Sequence, residues 1–232
     1  MRLFGIGAEG ELKKHSAVIE AYVSEIIAQK EKQQQQQQEQ TSDDDDQGDD
    51  DLLSLFIKYA RKNNNADMLR IRYLRDVVLN FMVAGRDTTA CTLTNMYRMM
   101  SENPEQEARF LQMADSILPN NDSTPSYNIV KDVEFLHAFV NETLRLFPPV
   151  STDVKYTRRD DRLPNGIFVP AGCIVAYATI AMGRVESRYK NAEMFVPDRW
   201  MGPNAVKLTD YEWPVFNAGL RLCLGVLFVV DC

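Results

Sequence analysis

The chain has 232 residues, of which 45% are hydrophobic, 9% aromatic and 25% charged, a balance that supports a packed core and excludes a collagen-like, mucin-like or wholly disordered chain. Its formal charge of -7 is concentrated in residues 33–51, which hold eight acidic and no basic residues; the remainder, 25 acidic against 26 basic residues, is close to neutral. With no basic stripe interleaved with aromatics, no nucleic-acid partner is expected.

From Leu12 to Gln29 the apolar residues Val18, Ile19, Tyr22, Val23, Ile26 and Ile27 recur at helical steps, so residues 1–32 read as an amphipathic-helix region. Residues 33–51 begin with Gln33 to Gln38 and continue into aspartate runs. Such a sequence cannot bury apolar surface and predicts a disordered surface insertion, with an acidic docking tract as the alternative. A short helix is predicted over Leu52 to Tyr59, followed by the polar loop Asn63-Asn64-Asn65.

The next and longest predicted helix carries one stripe through Leu74, Val78, Phe81, Gly85, Thr88, Thr92, Met96 and Met99, ending before Pro104. Its middle turn, Ala84-Gly85-Arg86-Asp87-Thr88-Thr89, places a helix-weakening glycine on the stripe. Gly costs about 1 kcal/mol against Ala there, so the backbone is expected to open or to be closely approached. Tight helix packing, with Thr88 bonded to the carbonyl four residues earlier, accounts for the same residues equally well.

Further helices are predicted over Pro104 to Leu118 and Val133 to Phe147, separated by a polar loop from Pro119 to Ser126, the second helix being stopped by Pro148-Pro149. Glu142 and Arg145 share one face of it and can pair. Beyond Pro149, short β-prone pieces at Val150 to Tyr156, Ile167 to Val169 and Ile174 to Ala178 predict a small sheet. Asn165-Gly166 is expected to form a two-residue hairpin turn. Pro197 to Trp200 and Trp213-Pro214 read as irregular chain.

Four cysteines, Cys91, Cys173, Cys223 and Cys232, form no C-x-x-C pair, which predicts reduced thiols rather than a disulfide framework. Cys223 is the informative one. It lies in Phe216-Asn217-Ala218-Gly219-Leu220-Arg221-Leu222-Cys223-Leu224-Gly225. A lone buried cysteine is ordinarily a small hydrophobe, but here glycines flank it, Phe216 can cover the sulfur and Arg221 offers a cation for a carboxylate. A thiolate ligand, a propionate partner and close backbone approach are what a cysteine-held haem requires. A thiol hydrolase is disfavoured, because neither His15 nor His137 belongs to a nucleophile motif.

The chain resembles a cytochrome P450, a haem-thiolate monooxygenase. The family signature Phe-x-x-Gly-x-Arg-x-Cys-x-Gly is met by Phe216, Gly219, Arg221, Cys223 and Gly225, and three further motifs follow the family order: Ala84 to Thr88, Glu142 to Arg145, and Pro197 to Arg199. The resemblance implies a mainly α fold with a small β-sheet, the C-terminal part of the P450 fold over residues 52–225. It implies heme b with Cys223 as the iron ligand, and Phe216, Gly219, Arg221 and Gly225 as cofactor-binding residues. Asp87 and Thr88 become the catalytic proton-delivery pair. Glu142, Arg145 and Arg199 become a buried structural triad. Ala84, Val150, Ser151 and Thr152 become candidate substrate-pocket residues, with an ordinary helix-to-strand loop as the alternative for the last three.

Residues 73–90 resemble the plant and fungal branch that hydroxylates long-chain fatty acids and alkanes at the terminal carbon. The implied partners are an apolar small-molecule substrate and an NADPH-cytochrome P450 reductase or equivalent electron donor. Ala84 stands where animal relatives often carry the glutamate that esterifies haem, so no such link is expected. Complete relatives sit on the endoplasmic reticulum through an N-terminal helix. No apolar run here approaches the ~20 residues of a membrane span, and residues 1–5 lack the apolar core of a signal peptide, so this chain is expected to be soluble. The family's Trp-x-x-x-Arg helix is missing, and residues 226–232 read as an aberrant tail in place of its proximal helix. A truncated sequence is expected, and an inactive fragment or pseudogene product, acting at most as an interaction protein, is the alternative function.

Overall fold

The computed structural model describes residues 8–40, 52–118 and 126–226. Residues 119–125 of the expected Pro119–Ser126 loop and 227–232 of the expected 226–232 tail lie outside the described residues, as do 41–51 of the insertion. The chain divides into two units, Met1–Gly85 and Arg86–Cys232.

The first unit contains α1 (Ala8–Gln40), α2 (Leu52–Lys62) and the opening of α3 (Ile71–Glu102). Its core is made by Val23 and Ile27 of α1, Leu53 and Ile57 of α2 and Leu74 of α3, each worth about 1.5–3 kcal/mol when fully buried. Arg75 Nη1 reaches Glu20 Oε1 at 3.0 Å, tying α3 to α1. Helix α2 stops for a local reason. Asn64 takes φ +50°, the Asn65 N–H donates to the Ala60 carbonyl and the Asn64 N–H to that of Arg61, a Schellman end with asparagine in the left-handed position.

Three expectations change here. Helix α1 does not end at Gln29 but runs through Gln33–Gln38 to Gln40, so this part of the insertion is helical rather than disordered. Glutamine is a good helix former, and extending a nucleated helix adds a hydrogen bond for each residue fixed. At 33 residues α1 also exceeds α3, which has 32. Val18, Ile19 and Tyr22, part of the expected apolar stripe, remain exposed.

The second unit holds the rest of α3, α4 (Pro104–Ile117), α5 (Tyr127–Val130), α6 (Glu134–Leu146) and α7 (Thr179–Met182). Pro104 opens α4 where a missing N–H costs nothing, and Glu105 and Glu107 complement the helix's positive end. Nine of the thirteen residues of α6 are buried, so it is a core helix rather than a surface one. Its Phe135, Phe139, Val140 and Leu144 form one apolar cluster with Met96 and Met99 of α3. The Phe139 ring meets Phe110 at 5.3 Å and Phe195 at 4.9 Å, both edge-on, a geometry favoured by the ring quadrupoles. Arg109 grips Asp198 with two 2.8 Å bonds.

The small sheet consists of two separate antiparallel pairs. β1 (Asp153–Tyr156) pairs with β4 (Ile174–Tyr177) in the register Asp153 opposite Tyr177, and β2 (Asp161–Arg162) pairs with β3 (Phe168–Val169). The β2–β3 turn departs from the two-residue expectation. The Gly166 N–H donates to the Leu163 carbonyl at 2.8 Å, the Leu163 N–H to that of Ile167 at 2.9 Å, and Gly166 alone of the turn residues has positive φ, +86°. This is a three-residue loop, Pro164-Asn165-Gly166, closed by a glycine bulge. Proline fixes φ near -65° at the first turn position, which suits a type I turn and not its mirror image. Pro197–Trp200, Pro214–Phe216 and Gly219–Arg221 are short 3-10 turns within the stretches read as irregular.

Gly85 is corrected as well. Helix α3 runs through it without interruption, and a Cβ there would meet nothing within 4 Å, so neither an opened backbone nor a close neighbour requires the glycine among the described residues.

Candidate functional site

The site begins with a buried charge cluster on α6. Glu142 and Arg145 are fully buried and joined by two 2.8 Å bonds. Arg145 gives its remaining three N–H groups to the carbonyls of Gly183, Ala192 and Met194 at 2.6–2.9 Å, so all five guanidinium donors are used. Glu142 also accepts from Arg199 Nε at 3.0 Å, the Val196 N–H at 2.7 Å and Trp200 Nε1 at 2.9 Å. Gly183 is required where it stands, because a Cβ would overlap the Arg145 carbonyl. Arg145 lies 5.1 Å from the Tyr189 ring centre, and burial pushes the Tyr189 hydroxyl up to about 12. Burying two charges is tolerable only when every lone pair and proton is matched, and here they are. The cluster locks α6 to the segment from 183 to 200.

Cys223 stands on the last described loop. The 3-10 turn Pro214–Phe216 leads into Asn217 at φ +67° and, after Ala218, Gly219 at φ +61°. The Cys223 N–H then donates to the Phe216 carbonyl at 2.8 Å, closing the loop on itself. Gly219 is needed on two counts: its positive φ, and Tyr211 Oη, which a Cβ would meet at 2.8 Å. The thiol of Cys223 is free and the residue exposed.

Behind this loop lies a cavity of about 220 Å³. Cys223 and Arg221 border it, as do Thr88 and Thr92 of α3, with Leu144, Val150 and Phe216 among its apolar walls. Thr92 donates to the Thr88 carbonyl at 3.0 Å. A third group of lining residues is polar: Asp153, Tyr177 and Asn217. Lys155 at 2.7 Å, then the Tyr177 hydroxyl at 2.7 Å, hold the Asp153 carboxyl down at about 2.

The sequence-predicted residues therefore divide. Thr88, Val150, Phe216, Arg221 and Cys223 border one cavity. Asp87 is exposed on α3 with its carboxylate 3.9 Å from Arg86, outside the cavity lining, and Ser151 and Thr152 are likewise exposed and outside it. Ala84 is an exposed residue of the first unit. Glu142, Arg145 and Arg199 form the cluster above. Trp200, Asp153, Tyr177 and Asn217 were not singled out from the sequence. Only Trp200 carried a signal, its position directly after Arg199; the others are brought together from stretches 24 to 64 residues apart.

The donor set fits a haem. Among the described residues no group of three or more His, Cys, Asp and Glu could hold a metal ion. A single sulfur, one guanidinium and apolar walls suit a flat, dicarboxylate-bearing metal carrier. A Cβ at Gly225 would stand 3.8 Å from Sγ, in ordinary van der Waals contact, so Gly225 lies beside the sulfur.

The sequence model of the family described as cytochrome P450 matches residues 2–228. Similar curated proteins include cytochrome P450 94C1 of Arabidopsis thaliana, 34% identical over 97% of this chain and 43% of its own length. Cytochrome P450 94A1 of Vicia sativa is 30% identical over 97% of the chain and 42% of its length, and cytochrome P450 86B1 of Arabidopsis thaliana 31% over 97% and 41%. The chain thus spans about two fifths of the length of the curated relatives it matches.

Proposed function

Because this chain belongs to the cytochrome P450 family, whose members carry a haem iron, we propose that its residues serve a haem-thiolate monooxygenase that hydroxylates an apolar substrate, with long-chain fatty acids as the class. The observation that carries this reading is the shared cavity: Cys223 with Arg221, and Thr88 with Thr92, line one apolar-walled space. Electrons come from NADPH through a reductase. Among the described residues no helix is long and apolar enough to cross a membrane; the endoplasmic reticulum is the location the family resemblance suggests.

When bound, haem supplies the redox chemistry by which one atom of dioxygen enters the substrate and the other leaves as water, for two electrons and two protons. Cys223 Sγ, as thiolate, would be its protein ligand. Arg221 would pair with a propionate, a charge-assisted contact of the stronger kind. Phe216 and Val150 give the cavity apolar walls that suit an apolar substrate. Thr88 holds a water in the cavity and passes its proton inward, while exposed Asp87 exchanges protons with solvent.

The test is the carbon-monoxide difference spectrum of the haem-reconstituted, reduced chain beside Cys223→Ala. A thiolate-type band present in the parent and lost in the variant is expected. A parent without that band, or a variant that keeps it, overturns the reading. Thr88→Ala is expected to keep the band while lowering product formation by about tenfold or more.

A further inference from the structure

We infer that Asp153, Tyr177 and Asn217 are positioning residues: a polar clamp between the β1–β4 hairpin and the base of the Cys223 loop that sets where the sulfur stands. The inference rests on the haem-thiolate reading above for its purpose, though not for its geometry.

The clamp begins with strand register. Asp153 of β1 and Tyr177 of β4 are direct cross-strand partners, so the hairpin itself brings the phenol to the carboxylate, where it donates at 2.7 Å. Asn217 Nδ2 donates to the same oxygen, Asp153 Oδ2, at 3.0 Å, and Lys155 Nζ at 2.7 Å. An ionised carboxylate accepts all three; a neutral side chain in its place would lose the charge that strengthens them. The amide of Asn217 is then oriented, and its Oδ1 accepts the Ala218 N–H at 3.0 Å and lies 3.1 Å from the Tyr177 hydroxyl.

The backbone of Asn217 shows why such a clamp is needed. Its φ of +67° and ψ of -168° fall in a region that is essentially reserved for glycine and persists elsewhere only when the surroundings over-determine it. Here the surroundings do so through the side chain. A glycine would adopt the angles without strain but would have nothing to hold. Asn217 stands next to Phe216, whose carbonyl receives the Cys223 N–H at 2.8 Å, so the residue bearing the sulfur is fastened to the clamp's immediate neighbour. A carboxylate seventy residues upstream thereby fixes the loop that carries the thiol, through bonds that do not include the sulfur.

The test compares the full chain with Asp153→Asn, Tyr177→Phe and Asn217→Gly by two readouts. The first is the ratio of thiolate to neutral-thiol bands in the reduced carbon-monoxide complex. The second, free of cofactor, is amide hydrogen exchange of residues 216–223. A clamp predicts that Asp153→Asn and Asn217→Gly each lower the band ratio and speed exchange of the Cys223 amide by about tenfold, the scale of one lost hydrogen bond to a charged group, with Tyr177→Phe intermediate. Unchanged ratio and exchange in Asn217→Gly, which relieves the backbone and cannot unfold the core, would overturn it. Should Asp153→Asn not fold, the other two variants decide. A parent chain without any thiolate band overturns the haem reading instead, and the exchange measurement still judges the clamp.

Discussion

The Glu142 cluster and the Cys223 loop belong to the same unit and are built on opposite principles. Around Glu142 and Arg145 every charge is sealed from water and every donor of the guanidinium is spent. Around Cys223 the chain is exposed: Leu220 and Leu224 stand in the open, the thiol is free, and two positive-φ residues shape the turn. The first region resists any rearrangement, since a saturated buried network has no second arrangement of similar energy. The second leaves its sulfur uncovered so that a ligand can complete it. A rigid frame behind an open loop is a workable way to present one reactive atom.

The comparison breaks most visibly at Glu142. Replacing it by alanine leaves Arg145 and Arg199 buried without their carboxylate, and should cost about 3–5 kcal/mol, enough to abolish cooperative urea unfolding of the second unit; a variant with the parent midpoint would show that the cluster is ornamental. Gly219→Ala should cost about 1–2 kcal/mol from its left-handed backbone, plus the displacement of Tyr211, read as a lowered urea midpoint. A smaller effect depends on pH. Asp153, held at about 2 against its ordinary 3.8, contributes stability that is complete above about pH 4 and is lost as pH falls towards 2. The contribution is at most about 2 kcal/mol and is reduced by the partial exposure of the pair. Urea midpoints between about pH 6 and pH 2 should therefore fall less steeply in Asp153→Asn than in the parent. Cys223→Ala comes last: on an exposed loop it should change stability by no more than about 0.5 kcal/mol, while removing the sulfur ligand altogether. A large loss there would mean that the thiol packs as a structural group.

Much of the frame was legible in the sequence. Helix α6 falls within one residue of its expected ends because Pro148-Pro149 stops it and its apolar spacing starts it. Glu142 and Arg145, three residues apart, announced a shared face, and the glycines around Cys223 announced a tight loop. What was not legible depends on partners distant in sequence or on competing local preferences. The polyglutamine run looked disordered by composition, yet its helix propensity carries α1 through it. Asn165-Gly166 signals a mirror-image turn until Pro164 dictates otherwise. Gly85 looked like a packing device, and among the described residues nothing lies within 4 Å of where its Cβ would be. The Asp153 clamp has no local pattern at all, since an aspartate in a strand and an asparagine in a loop show their purpose only when the fold brings them to hydrogen-bonding distance.

Iron X-ray absorption of the haem-loaded chain decides whether Cys223 supplies the protein's ligand to a haem iron. One sulfur in the iron's first coordination shell, replaced by oxygen or nitrogen in Cys223→Ser, is the predicted result. A parent spectrum with no sulfur neighbour, or one in which the sulfur survives that substitution, would contradict it.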